Sequence, residues 1–155
     1  MTSSMERGKK TAGKVYFDKA GEGSIADWKS YVTEQYEAAA NSGGFTSLPT
    51  GSHDNPRTAD ADQKTPAELQ VLLTFFLTQP GIPLIYYGDE IGMKYVAASP
   101  DVEGSRARSG SRTPMQWDSS EDAGFSTAPK GKLYIPPDPD PNRPTVAKED
   151  KDPAS

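Results

Sequence analysis

Apolar positions recur along the chain with two different spacings, and the change of spacing marks where helices give way to strands. Ile25, Trp28, Val32, Tyr36 and Ala39 return every three or four residues, the spacing of one helical face. Ser24 precedes this block and Asp27 follows three positions on, an N-cap with an acid in the first turn. An amphipathic helix is therefore predicted over about 24–40. Asn41-Ser42-Gly43-Gly44 stops it, and Phe45-Thr46-Ser47-Leu48 has strand composition and ends at Pro49. Thr65-Pro66-Ala67-Glu68 is a capping box with proline at the first helical position, and Leu69, Leu72, Leu73, Phe76 and Leu77 form the broad face of a second helix. Val71 and Phe75 widen that face, so burial on more than one side is expected. Ile82-Pro83-Leu84-Ile85-Tyr86-Tyr87 shows no alternation, which predicts a strand buried on both faces, as in parallel sheets.

The stretch 69–88 carries no charge and has to be tested as a membrane span. Pro80, Gly81 and Pro83 interrupt it, whereas helix, turn and strand use every residue, so no membrane partner is expected. Strand, loop, helix, strand is one βαβ unit with parallel strands and a right-handed connection, so the fold class is α/β. Chemistry in such folds sits beyond the C-terminal ends of the strands. The loop after Leu48, with the only histidine, His53, and the loop after Tyr87, with Asp89 and Glu90, then open on one face. From Ala97 onward proline, glycine, serine and charge dominate, which divides the chain into a barrel-like segment, 1–96, and a loop-rich extension, 97–155.

Size narrows the picture, because the chain has 155 residues and a complete (β/α)₈ barrel needs about 250. It has no cysteine, which removes disulfides and thiolate metal sites and fits a reducing compartment. Residues 1–14 are polar and basic without an apolar core, unlike a secretory signal, so a cytoplasmic location is expected. Arg7, Lys9, Lys10 and Lys14 form only a small basic cluster in a chain of net charge −5, so nucleic acid is not an expected partner. Asp138, Asp140, Asn142 and Glu149 match positions 1, 3, 5 and 12 of a calcium loop, but Arg143 stands where the loop needs glycine. No metal and no cofactor is expected.

His53, Asp54 and Arg57 put a titratable ring, an acid and a fixed cation at the mouth of the predicted sheet. Those residues alone leave two readings open, a polar site or the brace of an Asp-Asn-Pro turn. The adjacent acids Asp89 and Glu90 diverge in direction and are expected to cap and brace. Met115, Trp117 and Phe125 stand among prolines and glycines and are expected to pack locally rather than to stack on a sugar.

Three longer motifs decide between the readings. Leu48-Pro49-Thr50-Gly51-Ser52-His53-Asp54-Asn55-Pro56-Arg57 resembles the seventh-strand motif of the α-amylase superfamily. Gln79-Pro80-Gly81-Ile82-Pro83-Leu84-Ile85-Tyr86-Tyr87-Gly88-Asp89-Glu90-Ile91-Gly92-Met93 resembles its eighth-strand motif. Arg112-Thr113-Pro114-Met115-Gln116-Trp117-Asp118, with Ala123-Gly124-Phe125-Ser126, is similar to the segment that follows in α-glucosidases, oligo-1,6-glucosidases and trehalose synthases. The resemblance implies a partial (β/α)₈ TIM barrel, about strands 7 and 8 with their helices, followed by long Pro/Gly-rich loops. It implies an α-linked glucoside or oligosaccharide as substrate, with Asp54 as the transition-state-stabilising carboxylate, His53 beside it, and Arg57, Arg108 and Arg112 as substrate-binding residues.

Departures from the family pattern limit what carries over. Ser52 replaces a frequent asparagine, Ser109 follows Arg108 in place of a frequent aspartate, and Glu121-Asp122 replaces a proline-asparagine pair. Retaining glycosidases also need a nucleophile and an acid/base about 5 to 5.5 Å apart, and the resemblance puts these on strands four and five. The sequence contains no Asp-x-x-Arg-x-Asp motif. The expectation is thus an enzyme segment that depends on a missing N-terminal part of the barrel and is inactive alone, with unpaired sheet edges that favour association. The alternatives are a non-catalytic binding relative, as in the heavy chains of amino-acid transporters, or a truncated reading frame. His53, Asp54 and Arg57 favour the enzyme.

Overall fold

A computed structural model of the chain describes residues 24–60, 65–102, 104, 105, 108–129 and 131–153. The basic cluster at Arg7, Lys9, Lys10 and Lys14 lies outside them. Helix α1 runs over Ile25–Asn41, and the Ser24 hydroxyl accepts the Asp27 amide at 3.1 Å, as the cap pattern predicts. Strand β1 is Ser47–Pro49 and helix α2 is Pro66–Leu77. The capping box at Thr65 is complete: the Thr65 hydroxyl accepts the Glu68 amide and Glu68 Oε2 accepts the Thr65 amide. Strand β2, Ile82–Leu84, lies parallel to β1 in the register Ser47 to Ile82, Leu48 to Pro83 and Pro49 to Leu84. The expected parallel strand, helix, strand unit is therefore present.

Both helices pack on this pair through one apolar cluster. Trp28, Leu48 and Phe76 are buried, with Val32, Tyr36 and Phe75 against them, and the Trp28 and Phe75 rings meet edge to face at 5.0 Å. Burial follows the predicted faces only in part. Leu69, Leu72 and Phe76 of α2 are buried, but Val71 is 70% exposed. The strand expected to be buried on both faces is shorter than predicted, with Ile82, Leu84 and Ile85 about half exposed. The reason is geometric, since among the described residues the sheet has two strands and no third strand lies against either edge.

The tight entry into β2 depends on Gly81, whose φ of 127° is accessible mainly to glycine. A Cβ there would stand 2.5 Å from the Thr46 carbonyl oxygen, which is itself the acceptor of the Ile82 amide. Gly81→Ala is expected to cost roughly 1–3 kcal/mol through strain and the lost ladder bond, measurable by urea denaturation.

After β2 the chain makes 3₁₀ turns at Asp89–Ile91 and Ser109–Ser111 and a short helix α3 at Val146–Glu149. Among the described residues there is no further strand. The late segment is nonetheless tied down, because the Val146 amide donates to the Gln116 carbonyl, Ala147 to Trp117, and the Gln116 side chain to the Pro144 carbonyl. Asp138 and Asp140 each accept the amide two residues on, which turns the chain. No described helix is long and apolar enough to cross a membrane.

Candidate functional site

The site begins where β1 leaves the sheet. Thr50 extends the ladder by one bond, its amide donating to the Leu84 carbonyl at 2.9 Å. The chain then turns, because Ser52 Oγ accepts the Asp54 amide at 3.2 Å and the Asn55 side-chain amide at 2.6 Å. That places His53 and Asp54 at the tip of the loop. With parallel strands this loop and the turn after β2 emerge at one end, and they touch, since the Tyr86 amide donates to Thr50 Oγ1 at 2.9 Å.

Three side chains converge on one oxygen, Asp54 Oδ1. Arg108 donates to it at 2.6 Å and Arg112 at 3.1 Å, although they lie 54 and 58 residues away in sequence. His53 Nε2 stands 3.4 Å from the same atom, and Arg112 Nε also donates to the His53 carbonyl. His53 and Asp54 keep 65% and 45% of their side-chain surface exposed, so a ligand can reach them. Such exposed ion pairs contribute about 1 kcal/mol or less each. They aim the carboxylate but do not hold the loop.

Arg57, expected to bind substrate, is placed elsewhere. Its side chain is fully buried and pairs with Asp89 Oδ1 at 3.4 Å instead of Asp54. Its NH1 also donates to the Tyr87 carbonyl, and the guanidinium lies 4.6 Å from the centroids of both the Tyr86 and Tyr87 rings. Asp89 braces, as expected: Thr50 and Thr58 both donate to its Oδ2, at 2.8 and 3.3 Å. Burial pushes the Asp89 carboxyl above the usual carboxylate range, against the opposing pull of the Thr50 hydroxyl, Arg57 and the Thr58 hydroxyl. Glu90 beside it is exposed.

The hydroxyl residues around this pair belong to the site although no motif in the sequence singles them out. Tyr86 OH donates to the Ser111 carbonyl at 3.0 Å and Tyr87 OH to the Thr113 carbonyl at 2.8 Å, so the two tyrosines hold the segment that carries Arg108 and Arg112. The Ser111 hydroxyl in turn donates to the Asn55 carbonyl at 2.6 Å. Two consecutive tyrosines at the end of a strand were the available signal. The aromatics expected to pack locally are half exposed, Trp117 at 50% and Phe125 at 52%. With Tyr87, Glu90 and Met115 they line a cavity of about 550 Å³ that shares Arg112 with the Asp54 cluster.

Comparison with known proteins adds what the geometry leaves open. The family model for the catalytic domain of alpha amylase matches residues 3–155. The chain belongs to the α-amylase family. Oligo-1,6-glucosidase of Parageobacillus thermoglucosidasius is 32% identical over 149 residues, covering 75% of this α-amylase-family chain and 26% of the relative. The trehalose synthase/amylase TreS of Mycobacterium tuberculosis is 46% identical over 74 residues, covering 48% of the chain and 11% of the relative. A MutB double mutant solved in complex with isomaltulose superposes with a TM-score of 0.68 at 25% identity, covering 97% of this chain and 32% of that one. Trehalose-6-phosphate hydrolase of Bacillus licheniformis superposes with a TM-score of 0.65 at 23% identity, covering 98% of this chain and 31% of that one. The α-amylase-family chain thus spans about a third or less of these relatives, and its βαβ unit is a fragment of a (β/α)₈ barrel.

Proposed function

We propose that this chain supplies the seventh and eighth strands and the following site loops of a retaining α-glucoside hydrolase or transglycosylase. Residues 1–96 would form the barrel segment and 97–155 the loop-rich continuation of the same catalytic domain. The observation that carries this is the convergence of Arg108, Arg112 and His53 on the exposed carboxylate of Asp54 at the strand ends. In this reading Asp54 and His53 hydrogen-bond the hydroxyls of one glucosyl ring. Such bonds strengthen as the ring flattens toward an oxocarbenium ion, and the carboxylate faces the developing positive charge. Arg108 and Arg112 orient the carboxylate and the sugar, whereas Arg57 acts from inside the fold. The substrate is an α-linked glucoside or oligosaccharide, in keeping with relatives named as a trehalose synthase/amylase and an oligo-1,6-glucosidase.

The nucleophile and the acid/base belong to the remainder of the barrel, which is consistent with the short span of the relatives that the chain covers. The 155-residue chain alone is expected to hydrolyse neither p-nitrophenyl α-glucoside nor maltose, isomaltose or trehalose. The contiguous polypeptide that includes the rest of the barrel is expected to turn over at least one of them. Hydrolysis by the short chain at enzymatic rates would refute the account of the missing carboxylates, and a folded but inert long chain would refute the function.

A further inference from the structure

Resting on that reading of Asp54, we propose that the buried residues Asp89, Arg57 and Thr50, with the Tyr86-Tyr87 pair at their edge, are the positioning device that sets Asp54 against Arg108 and Arg112. The loop between Thr50 and Thr58 is held at its base by the Asp89 carboxylate. The Thr50 hydroxyl donates to Asp89 Oδ2, and the single Thr58 proton is shared between the Thr50 carbonyl at 3.0 Å and the same Oδ2 at 3.3 Å. One carboxylate therefore closes the base of the loop whose tip is His53 and Asp54. There is no slack at this point, because a Cβ on Gly51 would stand 2.9 Å from Asp89 Oδ2.

The same network holds the other half of the site. Tyr86 and Tyr87 anchor the carbonyls of Ser111 and Thr113, on either side of Arg112. Their rings lie 4.7 Å apart, and Arg57 covers both while bonding the Tyr87 carbonyl and Asp89. Asp54 and its two arginines thus arrive on separate chain segments that meet through the two tyrosines at the buried Arg57–Asp89 pair. Two ion pairs at an exposed tip cannot fix a carboxylate to within the fraction of an ångström that preorganised electrostatics requires. Buried, hydrogen-bonded groups with locked rotamers can.

Thr50→Val tests this in the contiguous enzyme, since valine keeps the shape and removes only the hydroxyl that links Asp89 to the Tyr86 amide. We expect kcat and kcat/KM to fall together by roughly 10- to 100-fold, the mark of an interaction felt in the transition state, while KM stays nearly constant. Thr50→Ser, which retains the hydroxyl, is expected to restore the rate. Tyr87→Phe, which frees the Thr113 carbonyl, is expected to lower kcat in the same way and serves if Thr50→Val folds poorly. Added to Asp54→Asn, Thr50→Val should cost less than about twofold further, because a device that acts through Asp54 has nothing left to position. Wild-type kcat in folded Thr50→Val and Tyr87→Phe, with Asp54→Asn impaired, would overturn this inference and leave the function standing. So would full additivity of Thr50→Val with Asp54→Asn. Unimpaired Asp54→Asn would remove the role of Asp54, and the positioning device with it.

Discussion

On the function proposed above, Asp54→Asn in a contiguous polypeptide that includes the rest of the barrel is expected to lower kcat by about 10²–10³ while leaving the fold intact, the typical effect of removing one preorganised electrostatic partner. Asparagine is nearly isosteric and still offers an oxygen to Arg108 or Arg112, and the exposed ion pairs it weakens are worth only about 1 kcal/mol or less each. Stability should therefore change little. On that reading, what the substitution removes is the full negative charge opposite the oxocarbenium-like carbon, and such a charge matters most when the positive charge is greatest. The loss should fall on kcat and kcat/KM alike, because a neutral amide can still bond a ground-state hydroxyl. Steady-state kinetics on p-nitrophenyl α-glucoside, with circular dichroism of both proteins, separates the two effects. Wild-type turnover in the variant would show that Asp54 does not carry the transition state.

The tip of this site was legible in the sequence and its foundation was not. Helix caps are local events, so Ser24 and Thr65 announced α1 and α2, and the motif order brought His53 and Asp54 to the end of β1 facing Arg108 and Arg112. Arg57 shows where local reading stops. Three residues from Asp54 in sequence, it nevertheless turns inward to Asp89 and the two tyrosines, a choice made by contacts 30 and 32 residues away. Thr50, just past the end of β1, and Thr58, in the loop that follows, escaped notice because threonine has no chemical signature until its acceptor is known. The exposure of Ile82 and Leu84 has a different origin. An unbroken apolar run reports the burial a strand seeks, and a third strand at either edge is not present among the described residues.

Arg57→Met is the substitution with the largest expected effect on stability, about 3 kcal/mol, at the lower end of the 3–5 kcal/mol that breaking a buried ion pair costs. The lower end applies because Arg57 Nε and NH2 are buried and find no hydrogen-bond partner among the described residues, so their removal relieves part of the penalty. What remains is Asp89, fully buried, with the hydroxyls of Thr50 and Thr58 but no cation. The deficit should depend on pH with a definite sign. Burial already holds the Asp89 carboxyl above its ordinary value of 3.8, and Arg57 is one of the groups opposing that rise. Without the arginine the folded-state value climbs further. A group whose folded value is raised contributes its stability fully below the unfolded value and loses it as pH rises through the folded one. The variant is therefore expected to lie closest to wild type below about pH 4, where Asp89 is protonated in both states, and to fall behind as pH rises toward neutrality. Adding Asp89→Asn, which keeps an acceptor for Thr50 and buries no charge, should recover part of the loss at neutral pH and flatten the pH dependence. Urea denaturation of the three proteins across that range decides the matter, and a deficit that is the same at every pH would show that the Arg57 guanidinium contributes packing over the tyrosines rather than charge compensation for Asp89.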